Sequence, residues 1–558
     1  MMHSTNDKGS VSRRGFVAGA ALSAAALGAS RAMASESAKA DGAAKATSAD
    51  GETAGTSAAG KDVHWSWDVK PDPITDDQCT KTYDCDVAIV GLGAGGTPAA
   101  LYAATHGLNT VVLQKGDHSI SNGWCANAIN NKAYLGTGGE PFDTGQLFSD
   151  FVQYTNGREN GTLVRMFIER GGEVMDWILD QTTEIEPKVV EKGQTIGWYE
   201  GNDFQTRYTG FANLLKLMAQ KAEDAGATML WDTPAVQLVT NKAGDTVTGV
   251  IGQDADGNYV KVNASKGVLL ACGDVTDDEE MLQCFAPIML GVKSLHGFPN
   301  NTGDGVRMGS WIGAKITPAP HAYMMHFDPT WLPEGDAPFS GIPWLRVNIN
   351  GKRFGNEDVS YQSVVVQVAQ QPEKVAFQIC DSNWLQDLED ADYFPNANSH
   401  SRENPDPEGN WQKFIESGAI IQSDTLEGLA DAYGIDKENF LATVQRYNDL
   451  CDKGVDEDFG VRSDFIVHTA IKEPPFYAIK RVPSVLASVG GVQINDDLRV
   501  LRDDDTPFNG LYACGDVAGS FYGNEYPLAL PGGSIGRGFT FGILSVKAMC
   551  GDLDSKVE

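Results

Sequence analysis

Asp86-Val87-Ala88-Ile89-Val90-Gly91-Leu92-Gly93-Ala94-Gly95-Gly96 decides the fold. Five residues of apolar strand run into a glycine-rich turn, and a small-residue helix from Thr97 to His106 follows. A second strand is expected over Asn109–Leu113. The GxGxxG spacing gains its meaning from this strand, turn, helix, strand order. Gly91 permits the turn, and Gly93 lets the backbone approach a pyrophosphate. Gly96 lets helix and strand pack closely, while the helix N-terminus faces the anion. Ala94 and Gly95 complete the cradle. Such a turn holds a dinucleotide at the edge of a parallel α/β sheet. The residue expected to hold the ribose hydroxyls falls at Gln114, where an acid is usual. An amide still pairs with a hydroxyl, and without a negative charge it does not repel a 2′-phosphate.

Two distant segments choose the dinucleotide. Gly267-Val268-Leu269-Leu270-Ala271-Cys272-Gly273-Asp274 and Gly510-Leu511-Tyr512-Ala513-Cys514-Gly515-Asp516-Val517 are both apolar strands ending in a Gly-Asp turn. A nicotinamide domain is usually one contiguous block. A glycine fingerprint near residue 91 with its Gly-Asp turn near the C-terminus is the organisation of an FAD domain. In that reading Asp516 accepts hydrogen bonds from the ribityl chain. Gly532-Gly533-Ser534-Ile535-Gly536 opens the last helix, whose N-terminal amides stabilise negative charge on the reduced ring. Asn122, Gly123 and Trp124 join Ser534 and Ile535 in the expected FAD-binding set.

The composition sets limits. Forty-three Lys and Arg stand against 75 Asp and Glu, a net charge of −32. That argues against nucleic acid and against anionic lipid. Sixty-two glycines without a triplet period exclude collagen and suit turns around a ligand. Ser12-Arg13-Arg14-Gly15-Phe16, an Ala-rich apolar run and Ala32-Met33-Ala34 form a twin-arginine signal over residues 1–34. That export route carries folded proteins and suits one that must take up its cofactor before leaving the cytoplasm. The expected location is periplasmic or extracytoplasmic, with no membrane span in the mature chain. Residues 35–70 begin as an Ala, Ser, Gly and Thr stretch and are expected to be a flexible linker. Nine cysteines include no CxxC, so zinc-ribbon, iron–sulfur and c-haem sites lack support and no metal is expected. Cys79 and Cys85 are open to a local disulfide, with free thiols favoured.

The chain resembles the fumarate reductase and succinate dehydrogenase flavoprotein superfamily, which includes the 3-ketosteroid Δ1-dehydrogenases. The resemblance runs through DVAIVGLGAGG (86–96), TPAVQLV (233–239), ACGD (271–274), NTGDGVRMGSWIGA (301–314), NGKRFGNED (350–358), SVGGVQIND (488–496) and GLYACGDVAG (510–519), in that order. It implies a Rossmann-like FAD domain over 71–320 and 485–558, interrupted by an α+β cap over 321–484. It also implies that Val236 contacts the adenine through its backbone and that Asp304 lies near the cofactor.

Fumarate reductases grip a dicarboxylate with His and Arg, as two buried carboxylates require. At the corresponding positions this chain has Ala487 and Leu530, followed by Pro531, and no Arg stands near Asp381–Leu385. His326 matches the remaining family His or is a packed core histidine. A largely apolar, uncharged substrate is therefore expected. Asn356-Glu357-Asp358-Val359-Ser360-Tyr361 resembles the ketosteroid branch, which has Tyr where fumarate enzymes have Arg. Tyr526-Pro527 with Thr540-Phe541-Gly542 extends that likeness, though Tyr526 stands two residues further from the turn than in that branch. Tyr361 is assigned to proton transfer, and Tyr526 with the Gly532 amide to polarising a carbonyl, unless both phenols serve packing alone. The expected activity is reduction of a C=C conjugated to a carbonyl, in an enone, enoate or steroid-like molecule. The electrons would come from a separate cytochrome c or quinol-linked donor, as in anaerobic respiration. Rival activities are ketosteroid dehydrogenation with a quinone acceptor, a dicarboxylate reductase, and a non-catalytic electron carrier.

Overall fold

The computed structural model describes residues 65–199, 204–295, 300–327, 339–390, 406–527 and 529–557. The twin-arginine segment, the cleavage site and linker residues 35–64 lie outside them. The expected strand at residue 86 is the end of a longer one, β1 (Cys79–Val90), because the alternating stretch before it also pairs. The turn leads into α1 (Gly96–Thr105), which returns to β2 (Thr110–Leu113). Three further strands of this sheet are β3 (Thr228–Leu230), β4 (Tyr259–Leu270) and β5 (Pro507–Ala513). All five are parallel, in the order β5-β4-β1-β2-β3. A hairpin of Ala235–Thr240 and Val247–Gln253 continues antiparallel from β4.

The centre of this sheet reads as continuous Val, Ile and Leu, as a parallel sheet covered on both faces must. Val87, Ala88, Ile89, Val112, Val268, Leu269 and Leu270 are fully buried. Helix α1 packs between two long helices, Phe204–Asp224 and the last helix α2 (Gly533–Cys550). Gly96 is the closest point of helix on turn. A Cβ there would stand 1.9 Å from the Gly91 carbonyl oxygen, so only hydrogen fits.

A second hydrophobic core gathers from Phe339 to Ile479, around a four-stranded antiparallel sheet. Its strands are Arg346–Val347, Ala376–Cys380, Phe476–Arg481 and Ile420–Ser423. Between the two cores, Ala322–Phe327 pairs antiparallel with Pro483–Val489, and the helix Tyr361–Ala369 packs on that ladder. This seam belongs to the first core.

Residues 65–70 are not linker. Trp67 is 7% exposed and stacks at a tilt on Phe285, while its carbonyl accepts the Trp311 indole N–H. Burying an indole outweighs the entropy of ordering a short tail. Cys79 and Cys85 stand on one extended strand, about 20 Å apart by strand rise, which no disulfide spans. Among the described residues no helix is long and apolar enough to cross a membrane.

Gly96→Ala is expected to lower stability by about 1–3 kcal/mol through overpacking. Thermal unfolding of the flavin-loaded protein measures it. An unchanged midpoint would contradict the helix–turn contact.

Candidate active site

The N-terminus of α2 lies against the short strand Cys125–Asn127. Gly532 caps the helix in a left-handed conformation, and its carbonyl accepts the Asn127 N–H at 3.0 Å. A Cβ on Gly536 would stand 2.1 Å from the Asn127 oxygen. Across the strand ladder, Asn127 faces Thr195. The Asn127 amide is 1% exposed, and neither its oxygen nor its nitrogen has a partner. The Thr195 hydroxyl and the Gln194 side-chain oxygen are buried without partners as well. Buried polar atoms left unpaired cost about 1–3 kcal/mol each. A flat heterocycle with amide-like edges, bound at this helix end, supplies what they lack. The site fits the pyrimidine end of a flavin.

The remaining expected cofactor residues surround that wall or lead away from it. Asp516 accepts from the Ser534 hydroxyl at 2.6 Å and from the Arg537 guanidinium at 3.1 Å. Arg537 also holds the Gly515 and Ala518 carbonyls, which fixes the Gly-Asp turn on the helix. The other Gly-Asp turn serves the chain: Asp274 accepts from Thr276 and from the Ser488 N–H. Gly95 and Ala94 meet Cys514 and Gly538 of the opposite end, and the open side of Gly93 faces the Ile120 carbonyl. Gly123 lies against Ile535, next to Asn122. Val236 stands at a bulge in its hairpin, outside the register of paired residues. Asp304 pairs with Lys115 at 3.0 Å.

Gln114 is placed differently from expectation. Its side-chain oxygen accepts the Leu92 N–H and its nitrogen donates to the His118 carbonyl, both at 2.9 Å. The amide braces the glycine turn from behind, because it is 6% exposed and both ends are taken up by backbone.

Four tyrosines converge beyond the flavin wall. Tyr526 accepts the Ser534 N–H at 3.1 Å, and burial pushes its phenol up to about 12, so it stays a neutral donor. Its ring lies 4.8 Å from that of Tyr522. Tyr208, which sequence reasoning missed, is within electrostatic range of both Cys125 and Tyr361. The Tyr361 oxygen accepts the Phe327 N–H at 3.2 Å. Trp124 packs edge-on to Tyr199 at 5.7 Å, with the Arg207 guanidinium over its face at 4.8 Å. Leu530 and Ala487 are buried. His326 lies 5.6 Å from the Tyr361 ring, and its Nε2 is shut off from solvent without a partner.

Two cations were also missed. Arg346 and Arg481 are buried in the cap sheet, 3% and 1% exposed, and each feels the Tyr361 hydroxyl. A strand arginine reads as a surface residue in sequence, and neither stands at a position where the family places its clamp.

The chain belongs to the FAD binding domain family, which matches residues 86–532. It is an FAD-dependent oxidoreductase. A vinyl phenol reductase of Lactiplantibacillus plantarum is 26% identical over 82% of this chain and 94% of its own length. A digoxin reductase of Eggerthella lenta is 28% identical over 79% and 83%. A 3-oxosteroid 1-dehydrogenase of Mycolicibacterium smegmatis is 30% identical over 58% and 59%. The fold is that of an open-form flavocytochrome c3 fumarate reductase (TM-score 0.63, 23% identity, 88% of this chain and 83% of that one). It is also that of a 3-ketosteroid Δ1-dehydrogenase from Sterolibacterium denitrificans (TM-score 0.63, 21% identity, 84% and 99%).

Burial pushes His326 from 6.5 down to about 4. The imidazole stays neutral in the folded protein but takes a proton readily when unfolded, so stability falls as pH drops from 6.5 towards 4. His326→Gln is expected to remove up to roughly 3 kcal/mol of that loss. Denaturant unfolding at pH 7 and pH 4.5 measures the difference. Parallel curves for variant and wild type would show that His326 is already charged.

Proposed function

We propose that the enzyme reduces a C=C bond conjugated to a carbonyl, in a substrate whose body is apolar. The observation that carries this reading is the pair of buried phenols, Tyr361 and Tyr526, around a site whose family clamp positions are Leu530 and Ala487. Reduced FAD, when bound, supplies the hydride for the β-carbon. Tyr526 and the N-terminus of α2 hold the carbonyl oxygen as negative charge gathers on it; low dielectric strengthens both contacts. The Tyr361 hydroxyl delivers the proton to the α-carbon, which completes a two-electron, two-proton reduction. The names of the vinyl phenol and digoxin reductases agree with this direction.

The twin-arginine pattern at Arg13-Arg14 supports work outside the cytoplasmic membrane. There the electrons come from a separate carrier, a membrane cytochrome c or a quinol-linked protein. The reducible alkene then serves as a respiratory acceptor.

The test is anaerobic photoreduction of the FAD-loaded enzyme, followed by mixing with a panel of enones and enoates. One or more should reoxidise the flavin. Tyr361→Phe should slow that step by about 10²–10⁴-fold, with flavin content and photoreduction unaltered. Bleaching of oxidised enzyme by a saturated ketone would instead indicate the dehydrogenase direction. Rapid reoxidation by fumarate alone would return the protein to the dicarboxylate reductases.

A further inference from the structure

Arg537 stands one turn into α2 and is wholly buried. Its Nη1 donates to the Ala518 carbonyl at 2.9 Å. Its Nη2 donates to the Gly515 carbonyl at 2.8 Å and to the Asp516 carboxylate at 3.1 Å. Its Nε is buried with no acceptor. The guanidinium also lies 5.0 Å from the centre of the Tyr522 ring. Asp516 takes the Ser534 hydroxyl, the Ser534 N–H goes to the Tyr526 oxygen, and the Tyr526 ring meets that of Tyr522. These contacts close a ring around the first turn of α2. Among the described residues no other cation stands within ion-pair distance of Asp516.

A cation is out of place here on two counts. Burial penalises the charge, and the positive end of a helix repels it. The other charged residue of α2, Lys547, stands in the last turn, where the helix favours a cation. Tying the Gly515 and Ala518 carbonyls to the helix needs donors but no charge. What does need charge is Asp516, whose carboxylate lies against the same helix end. Its side chain keeps 24% exposure, while that of Arg537 is sealed behind it at 1%. The acid can reach a bound molecule and the guanidinium cannot. One positive charge against one negative leaves the field of the helix N-terminus uncancelled.

We infer that Arg537 sets the reduction potential of the bound FAD by cancelling the charge of Asp516. It is a positioning residue that acts through Asp516 and has no contact of its own with the cofactor. Uptake of two electrons and one proton adds one negative charge to the isoalloxazine. Next to a lone carboxylate that charge is opposed; next to a neutral ion pair at a helix N-terminus it is favoured. Arg537 therefore holds the potential higher than Asp516 alone would allow. This rests on the reading of the α2 terminus as the seat of the flavin's pyrimidine end, and on nothing about the alkene.

Anaerobic titration of the FAD-loaded enzyme against dyes of known potential tests the assignment, with the dye couple supplying the electrons. Arg537→Gln should shift the equilibrium at least about 10-fold towards oxidised FAD, a fall of about 30 mV for a two-electron couple. Arg537→Lys should recover part of that fall. Asp516→Asn should move the potential the opposite way, upwards. The double variant Arg537→Gln/Asp516→Asn should return close to wild type, because it is again neutral. A merely loosened turn does not produce opposite signs that cancel. Should Arg537→Gln fail to fold or to keep FAD, Asp516→Asn still decides, since the carboxylate it removes is the one at issue. Single variants that shift the potential in the same direction, or an Asp516→Asn potential at or below that of wild type, would overturn the proposal. The titration contains no alkene. Unmoved potentials would leave ene reduction standing, and an enzyme that reduces no alkene would leave the role of Arg537 standing.

Discussion

Everything in this molecule depends on two helices from opposite ends of the chain meeting at glycine. A Cβ on Gly542 of α2 would stand 2.2 Å from the Gly95 carbonyl oxygen, and Gly538 rests on Ala94. Backbone touches backbone at this crossing. The closeness lets the first turn of the chain and its last Gly-Asp turn form one continuous cradle, with β1, β4 and β5 as adjacent strands beneath. Bringing such distant segments together costs loop-closure entropy, but that cost grows only logarithmically with the intervening length. The whole second core, with its own sheet, is therefore accommodated between them. A ligand bound across both halves of the cradle stabilises the folded chain by mass action.

The proposed chemistry falls at the seam beside the first core, where a helix N-terminus and buried phenols come together. The first core contributes a helix N-terminus, fixed by Arg537 and Asp516, with a positive potential at a buried polar wall. The Ala322–Phe327 and Pro483–Val489 ladder also belongs to the first core, and the cap sheet meets it where Arg481 lies over the Phe327 ring. Tyr361 stands where they meet. It begins the helix Tyr361–Ala369, packs in the first core, and shares an electrostatic environment with the arginines of the cap.

Features encoded by local turn chemistry were legible in the sequence. The glycine fingerprint, both Gly-Asp turns and the glycine-rich start of the last helix each need particular residues at fixed offsets, whatever surrounds them. Roles set by tertiary placement were not legible. Gln114 occupies the ribose position of the motif, yet Leu92 N–H and His118 carbonyl take its amide. The two ACGDV turns are identical as strings, but Asp274 ties down Ser488 while Asp516 faces the α2 terminus. Trp67 sits in a stretch whose composition reads as linker, and its burial depends on Phe285 and Trp311 far along the chain. Arg346 and Arg481 were invisible for the same reason: a charged residue in a short strand reads as a solvated edge until the opposite face is known.

The choice of phenols over imidazoles follows from the dielectric of the site. Burial moves every titratable group towards its neutral form, so it drives a histidine such as His326 to an unprotonated imidazole that cannot serve as an acid near neutral pH. The same burial pushes the Tyr526 phenol up, so it remains a protonated donor near neutral pH. A guanidinium is the one cation that withstands this environment, since even a large downward shift leaves it charged. Near neutral pH a phenol such as that of Tyr526 therefore still carries its proton, whereas the imidazole of His326 has already lost its acidic one.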